Sequence, residues 1–203
     1  IGRAIATRMA AAGALLELAD VDEKALLETA ETLRASGAQV RTHVLDVTDT
    51  AQIEALRGAI HAGGGPVDVL VNNAGVVLGG AFLDVPLEKH VTTYRVNVLG
   101  LVAMTHAFLP DLVAGGDGHV VNVASASAFI GLPYGATYAS SKWAVLGFSE
   151  SLALELELEG HHHVHVTAVC PSYVATGLFD GARPPLGTRL LTAERVAERT
   201  VAA

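Results

Sequence analysis

With 203 residues and 51% apolar content the chain is the size of one domain, 1–203, with ample material for a continuous core; aromatics at only 5% suit helices on a sheet better than a β-sandwich. A formal charge of -8, from 13 basic and 21 acidic residues without a Lys/Arg cluster, leaves no footprint for a phosphate backbone, so nucleic acid is not an expected partner. Cys170 is the single cysteine, which excludes an intrachain disulfide and a CxxC metal site and fits the cytoplasm, and the absence of a long uninterrupted apolar run or signal-peptide layout predicts no membrane span.

In chain order the periodicity predicts a helix near 2–12, a strand at Ala14–Ala19, a helix at 22–36, a strand at Gln39–Leu45 and a helix at 50–62. Then come a strand at Val67–Val71, a helix at 87–113, a strand at His119–Ala124, a helix at 138–159, a strand at Val164–Val169 and a helix at Thr192–Ala203. Alternation of helix with strands that read as apolar on both faces predicts an α/β fold: one doubly wound parallel sheet, helices on both faces, right-handed crossovers. Ile1 opens directly on a helical pattern and no strand follows the last helix, so the first and last strands of such a fold are expected to be missing from this fragment. Ligands of such sheets sit beyond the carboxyl ends of the strands, and chemistry is sought there.

Tyr138-Ala-Ser-Ser-Lys142 sets a phenol and an ammonium four residues apart, hence on one face of a helix. A free phenol titrates near pH 10; a nearby cation favours the phenolate, and Lys142 would supply it. Ser125 follows the apolar run Val120–Val123, where its hydroxyl can donate to a carbonyl oxygen, and Asn97 lies in a helical stretch near the same side. Taken singly, such a Tyr–Lys pair is usually a surface contact and such a Ser a turn. The eighteen-residue step from Gly2 to Asp20, at the end of a strand, places a carboxylate where it can accept from an adenosine ribose 2′-hydroxyl and repel a 2′-phosphate; the competing reading is a helix cap or loop residue, with Asp22 the alternative cap.

These residues occur together with Asn72-Asn73-Ala74-Gly75 after a strand and Gly2-Arg3-Ala4-Ile5-Ala6 opening a helix, and the set resembles the short-chain dehydrogenase/reductase family over essentially the whole chain. The resemblance implies a Rossmann-type fold and an NAD(P)-dependent oxidoreductase acting on CH–OH groups. It implies Tyr138 as general acid/base, Lys142 as the residue that lowers its pKa and holds the nicotinamide ribose, Ser125 as ligand of the substrate oxygen, and Asn97 as a helix-distorting residue serving a proton relay. Ala124 stands where many members have a second serine, with Ser127 a less favoured substitute for Ser125. For the cofactor it implies Ile1 and Gly2 as the tail of the family's glycine-rich TGxxxGIG loop, Asp46 and Val47 at the adenine, and Asn73, Ala74 and Gly75 at the adenosine ribose. Pro171, Val174 and Thr176 fall in the loop that meets the nicotinamide carboxamide; Ser172 stands where a glycine is frequent, which puts that loop's path in question.

NAD is therefore the expected cofactor, with NADP second. No metal is expected, because the side chains of His161, His162 and His163 cannot all converge on one ion in an extended chain and no carboxylate is interleaved. Cys170 reads as a small packed residue, with no partner histidine at a recognisable spacing. Apolar stretches at Gly79–Phe82, Phe129–Gly135 and Gly177–Leu191 suggest a pocket for a lipid- or steroid-like secondary alcohol or ketone. The rivals are a 3-oxoacyl thioester reductase using NADPH and, from another class, a non-catalytic cofactor-binding regulatory protein. The resemblance also implies a homodimer or homotetramer through the helices at 87–113 and 138–159.

Overall fold

The computed structural model describes residues 1–177 and 190–203. In chain order it contains α1 (Gly2–Ala11), β1 (Leu16–Asp20), α2 (Glu23–Ala35), β2 (Val40–Val44), α3 (Thr50–Gly63), β3 (Val69–Asn72) and α4 (Leu87–Tyr94). A π-helical turn, Arg95–Gly100, joins α4 to α5 (Leu101–Ala114); then follow β4 (Gly118–Val123), a 3₁₀ turn (Ala126–Ala128), α6 (Ala136–Leu158), β5 (Val164–Val169) and α7 (Ala193–Val201). Element types follow the periodicity, and α6 begins two residues earlier than expected, at Ala136.

Short polar residues start the helices where the backbone N–H groups lack partners. The Asp22 carboxylate accepts from Ala25 N at 3.0 Å, Asp49 accepts from Ala51 N and Gln52 N, and Thr192 from Arg195 N. Apolar residues at helical spacing then face inward, such as Leu26, Ala30 and Leu33 of α2 and Ile53, Leu56 and Ile60 of α3.

All strand pairs are parallel, as expected from the sequence: β2 pairs with β1, and β3–β4–β5 form a second ladder. Each sheet has its own core. Leu16 and Val40 pack with Ala6, Ala30 and Leu33, whereas Leu70, Val120 and Val164 pack with Ile53, Leu56, Phe108 and Leu112. The first sheet also departs from the expected apolar-on-both-faces pattern. Glu17 on β1 accepts from Arg41 Nη1 at 2.8 Å and lies 2.7 Å from His43 Nε2, so that face is a polar clasp, extended by Arg41 Nη2 donating to the Gly63 carbonyl.

The continuous helix Leu87–Ala114 is long and apolar enough, by length and composition, to cross a membrane, and half of its most apolar stretch is buried within the fold. It carries Asp111, whose buried carboxylate accepts from Arg57 and pairs with His61 of α3, tying the two helices together.

Candidate active site

The carboxyl ends of β3 and β4 are locked by a buried amide ladder. Asn72 and Asn122 are registered neighbours; Asn72 Nδ2 donates to Asn122 Oδ1 (2.9 Å) and to Thr105 Oγ1 of α5 (3.0 Å), and Asn122 Nδ2 donates to Ser149 Oγ of α6 (2.9 Å). Both helices are thereby fixed to the strands whose ends carry the site. Buried polar groups persist only when paired, so this ladder specifies helix position as well as stabilising it.

Above it the predicted catalytic residues converge. Asn97 sits in the π turn, 1% exposed, with Oδ1 accepting from Val76 N (2.8 Å) and Nδ2 donating to Val76 O and Ser141 Oγ (3.0 Å each). Its side chain is wholly engaged in holding the loop after β3 against α6, so it is a positioning residue. Lys142 is 5% exposed and donates to the Val123 carbonyl at 2.8 Å; its Nζ would lie 3.5 Å from a Cβ placed on Gly75. The loop after β3 must therefore pass close to the ammonium with no side chain between. Lys142 Nζ also lies 5.9 Å from the centre of the Tyr138 ring, and Tyr138 is hydrogen-bonded to Ser125. Ser125 has extended backbone at the head of the 3₁₀ turn, where Oγ accepts from Ser127 N (3.2 Å), and Ala126 N donates to Pro171 O (2.8 Å), joining that turn to the end of β5.

Burial pushes the Tyr138 phenol above its ordinary value, and the Ser125 hydrogen bond pulls it only partly back. The lysine itself is brought down to about 8, chiefly by burial. The site thus holds a protonated phenol beside an ammonium that titrates not far above neutrality.

The cofactor-side residues lie along the same edge. Ile1 caps α1 without a side-chain hydrogen bond and the first turn carries no acidic residue, while a Cβ on Gly2 would come 2.7 Å from Asn73 Nδ2. Asp20 is exposed at the end of β1, where its carboxylate accepts only from Asp22 N among the described residues, and Asp22, not Asp20, caps α2. Asp46 accepts from Thr48 N and Oγ1, and Val47 packs on Gly100 of the π turn. Ala74 and Thr176 are exposed, and buried Val174 forms a bridge with Leu191. Ser172 does not adopt a positive φ, so the doubt attached to that position lapses; the described non-glycine residue that does is Tyr134, at 61°.

The geometry matches a family by sequence as well. A model described as short chain dehydrogenase matches residues 1–186. The chain belongs to the short-chain dehydrogenase family. It is 34% identical over 191 residues to epidermal retinol dehydrogenase 2 of Mus musculus, covering 94% of this chain and 62% of that protein. It therefore spans less than two thirds of the relative's length. A short-chain dehydrogenase/reductase from Burkholderia phymatum in complex with NAD superimposes with TM-score 0.85 at 35% identity, over 98% of this chain and 74% of that one. Actinorhodin polyketide ketoreductase with NADPH gives 0.88 at 30% identity, over 99% and 84%.

Several features lay beyond the sequence reading. The roles of Asn122, Thr105, Ser141 and Ser149 depend on which buried polar groups meet across elements. Tyr134 reaches its left-handed conformation with its carbonyl accepting from Gly80 N at 2.7 Å, which brings the two stretches expected to shape the pocket together. Ser127 is buried with Oγ unpartnered among the described residues, and its carbonyl accepts from Trp143 Nε1. Cys170 is half-buried against the Leu101–Ala124–Val145 cluster. His163 donates to the Val113 carbonyl and touches His161 edge-on. Leu178, Phe179 and Leu186, expected at the pocket, lie outside the described residues.

Proposed function

We propose that the protein transfers a hydride between a nicotinamide cofactor, NAD in preference to NADP, and an apolar secondary alcohol or ketone of lipid- or steroid-like character. The observation that carries this reading is the Ser125–Tyr138 hydrogen bond beside a buried Lys142 at the carboxyl end of β4. The cofactor supplies the hydride acceptor or donor. Gly2 and the uncapped first turn of α1 suit its pyrophosphate, Asp20 its adenosine ribose, Asp46 and Val47 its adenine, and Lys142 with the Pro171–Thr176 loop its nicotinamide end.

Ser125 and Tyr138 hold the substrate oxygen between two hydroxyls. In reduction the protonated Tyr138 gives its proton to that oxygen as negative charge develops; in oxidation it takes the proton back. Lys142, held on the Val123 carbonyl, places positive charge beneath the phenol and eases that transfer. Asn97 keeps the Val76 backbone, and with it the loop that borders the site, in register.

The likeness to a retinol dehydrogenase and the exposed apolar residues Phe82, Leu83, Phe129, Ile130 and Tyr134 support an apolar substrate. Formation of NADH from NAD by the complete protein, across secondary alcohols from small to steroid-sized, tests the reading; preference for small charged hydroxy acids overturns the substrate class. A second reading, reduction of a 3-oxoacyl thioester with NADPH, draws support from the likeness to a polyketide ketoreductase, and Asp20 argues against it. Exposed apolar residues along α4–α5 and α6, among them Leu87, Val91, Leu99, Leu154 and Leu158, support assembly as a homodimer or homotetramer; a monomer in sedimentation at micromolar concentration contradicts it. A lone thiol supports residence in the cytoplasm, which fractionation of cells checks.

A further inference from the structure

The serine that meets Tyr138 stands on a very short element. Ser125 has extended backbone at the head of a 3₁₀ turn of three residues, Ala126–Ala128. A turn this short has little stability of its own, so its shape depends on what grips it from outside. On the strand side Ala126 N donates to the Pro171 carbonyl at 2.8 Å. On the helix side the grip comes from two consecutive residues in the second turn of α6. Lys142 Nζ donates to the carbonyl of Val123 and Trp143 Nε1 to that of Ser127, so the two side chains hold the backbone on either side of Ser125.

Ser127 carries the second grip to the hydroxyl. Its carbonyl accepts from Trp143, and its N–H donates to Ser125 Oγ at 3.2 Å. A hydroxyl has one hydrogen and two lone pairs; with one lone pair taken by that N–H, the hydrogen of Ser125 is left for Tyr138 or a substrate oxygen. An indole N–H only donates, so the Trp143–Ser127 bond has a single sense. The Trp143 side of α6 is open, the residue being 52% exposed, and the N–H is the polar atom by which the ring engages the fold.

We propose that Trp143 is a positioning residue: its indole N–H, held on the Ser127 carbonyl, fixes the turn that aims the Ser125 hydroxyl at Tyr138 and at the substrate oxygen. The inference rests on the alcohol dehydrogenase reading of that site. Without the N–H the Ser127 carbonyl loses its donor, the turn shifts, and Ser125 Oγ no longer keeps one orientation. The loss falls on kcat, because a misplaced hydroxyl fails where negative charge develops on the substrate oxygen.

Three replacements at position 143 separate the N–H from the ring. Trp143→Phe deletes the N–H, benzothienylalanine puts sulfur in its place in a ring of the same shape, and azatryptophan keeps it. In the complete protein kcat and KM are measured with NAD and a hydroxysteroid or secondary alkanol. The Tyr138 ring is observed by carbon NMR after labelling of tyrosine Cζ, a position sensitive to hydrogen bonding, with Tyr138→Phe to assign the signal, Ser125→Ala as reference and thermal melting to confirm folding. Trp143→Phe and benzothienylalanine are expected to lower kcat about tenfold with KM changed less than about twofold, and azatryptophan to restore the wild-type rate. The Tyr138 signal should move towards its position in Ser125→Ala, and in that background Trp143→Phe should cost less than about twofold more. A Tyr138 signal that stays in place in the folded benzothienylalanine protein overturns the proposal, and so does an unchanged kcat or a loss that multiplies in full with that of Ser125→Ala. If Trp143→Phe does not fold, the benzothienylalanine protein decides. A Tyr138 signal displaced as in Ser125→Ala, with no alcohol oxidised even by wild type, upholds the hold on Ser125 and removes the dehydrogenase reading instead.

Discussion

The two sheets of this molecule solve different problems with different chemistry. At the end of the second sheet almost every polar group that matters is buried and paired: Asn72 with Asn122, Asn97 with Val76, Lys142 with Val123. At the end of the first, Asp20 and Asp22 are exposed and Asp46 is half-buried, and among the described residues their carboxylates bond only neighbours within a few residues. Proton transfer needs fixed groups in a dry site, where electrostatic interactions are strong, and rigidity there is supplied by the fold. The role proposed for Asp20, discrimination between two cofactors, needs only a charge at a strand end.

The sharpest way to break the comparison is at Tyr138. Tyr138→Phe removes one hydroxyl from a buried site and is expected to lower kcat about a thousandfold, the range lost when a general acid/base is deleted. Fluorescence titration of bound NADH should show the cofactor still binding, because the elements that hold it are untouched. Turnover within tenfold of wild type would remove Tyr138 from its role.

The buried ladder comes next. Asn122→Ala leaves Asn72 and Ser149 without their partner in a dry interior, at a cost of about 3 kcal/mol. That corresponds to a fall in Tm of roughly 10 °C for a domain of this size, read by circular dichroism. A drop of only a degree or two would mean that the ladder does not set the position of α5 and α6.

Lys142 gives the comparison a pH signature. Burial depresses its pKa to about 8 from 10.5, so the ammonium is present at pH 7 and is lost as the pH rises through 8. Tyr138, shifted the opposite way, stays protonated over that interval. The reductive kcat/KM should therefore fall along a limb near pH 8, and Lys142→Arg, cationic throughout, should lack that limb whatever its absolute rate. For stability the sign is reversed. The unfolded chain keeps the proton up to about 10.5, so burial of the lysine penalises the folded state in full below about 8, and that penalty is relieved as pH climbs from 8 to 10.5. The melting temperature of wild type should therefore rise relative to that of Lys142→Met between pH 7 and pH 9.5.

The division between buried and exposed also explains what the sequence disclosed. Element types were legible because each helix shows its own apolar spacing, and Ser125, Tyr138 and Lys142 were legible because their spacing is local. The polar face of the first ladder was not, since strand pairing is a long-range property: Glu17 of β1 meets Arg41 and His43 of β2 only once the two strands are in register. The raised pKa of Tyr138 was likewise out of reach. Four residues of spacing say that a cation is near, but burial, which decides the sign, belongs to the packed fold.

The smallest expected effects separate two aspartates that look alike in the sequence. Asp20→Ser removes the charge that would meet a 2′-phosphate, and is expected to lower the KM for NADP about tenfold, near 1.4 kcal/mol, while raising that for NAD. Because the Asp20 side chain is exposed and bonded only to Asp22 N among the described residues, Tm should barely change. Asp22→Ala does the opposite. It deletes the cap whose oxygen accepts from Ala25 N, costing about 1 kcal/mol and a Tm fall of roughly 3 °C, and leaves the ratio of NAD to NADP utilisation where it was. Should Asp22→Ala alter the cofactor ratio and Asp20→Ser leave it unchanged, the carboxylate that reads the ribose is two residues further along the chain, at the cap of α2 and not at the end of β1.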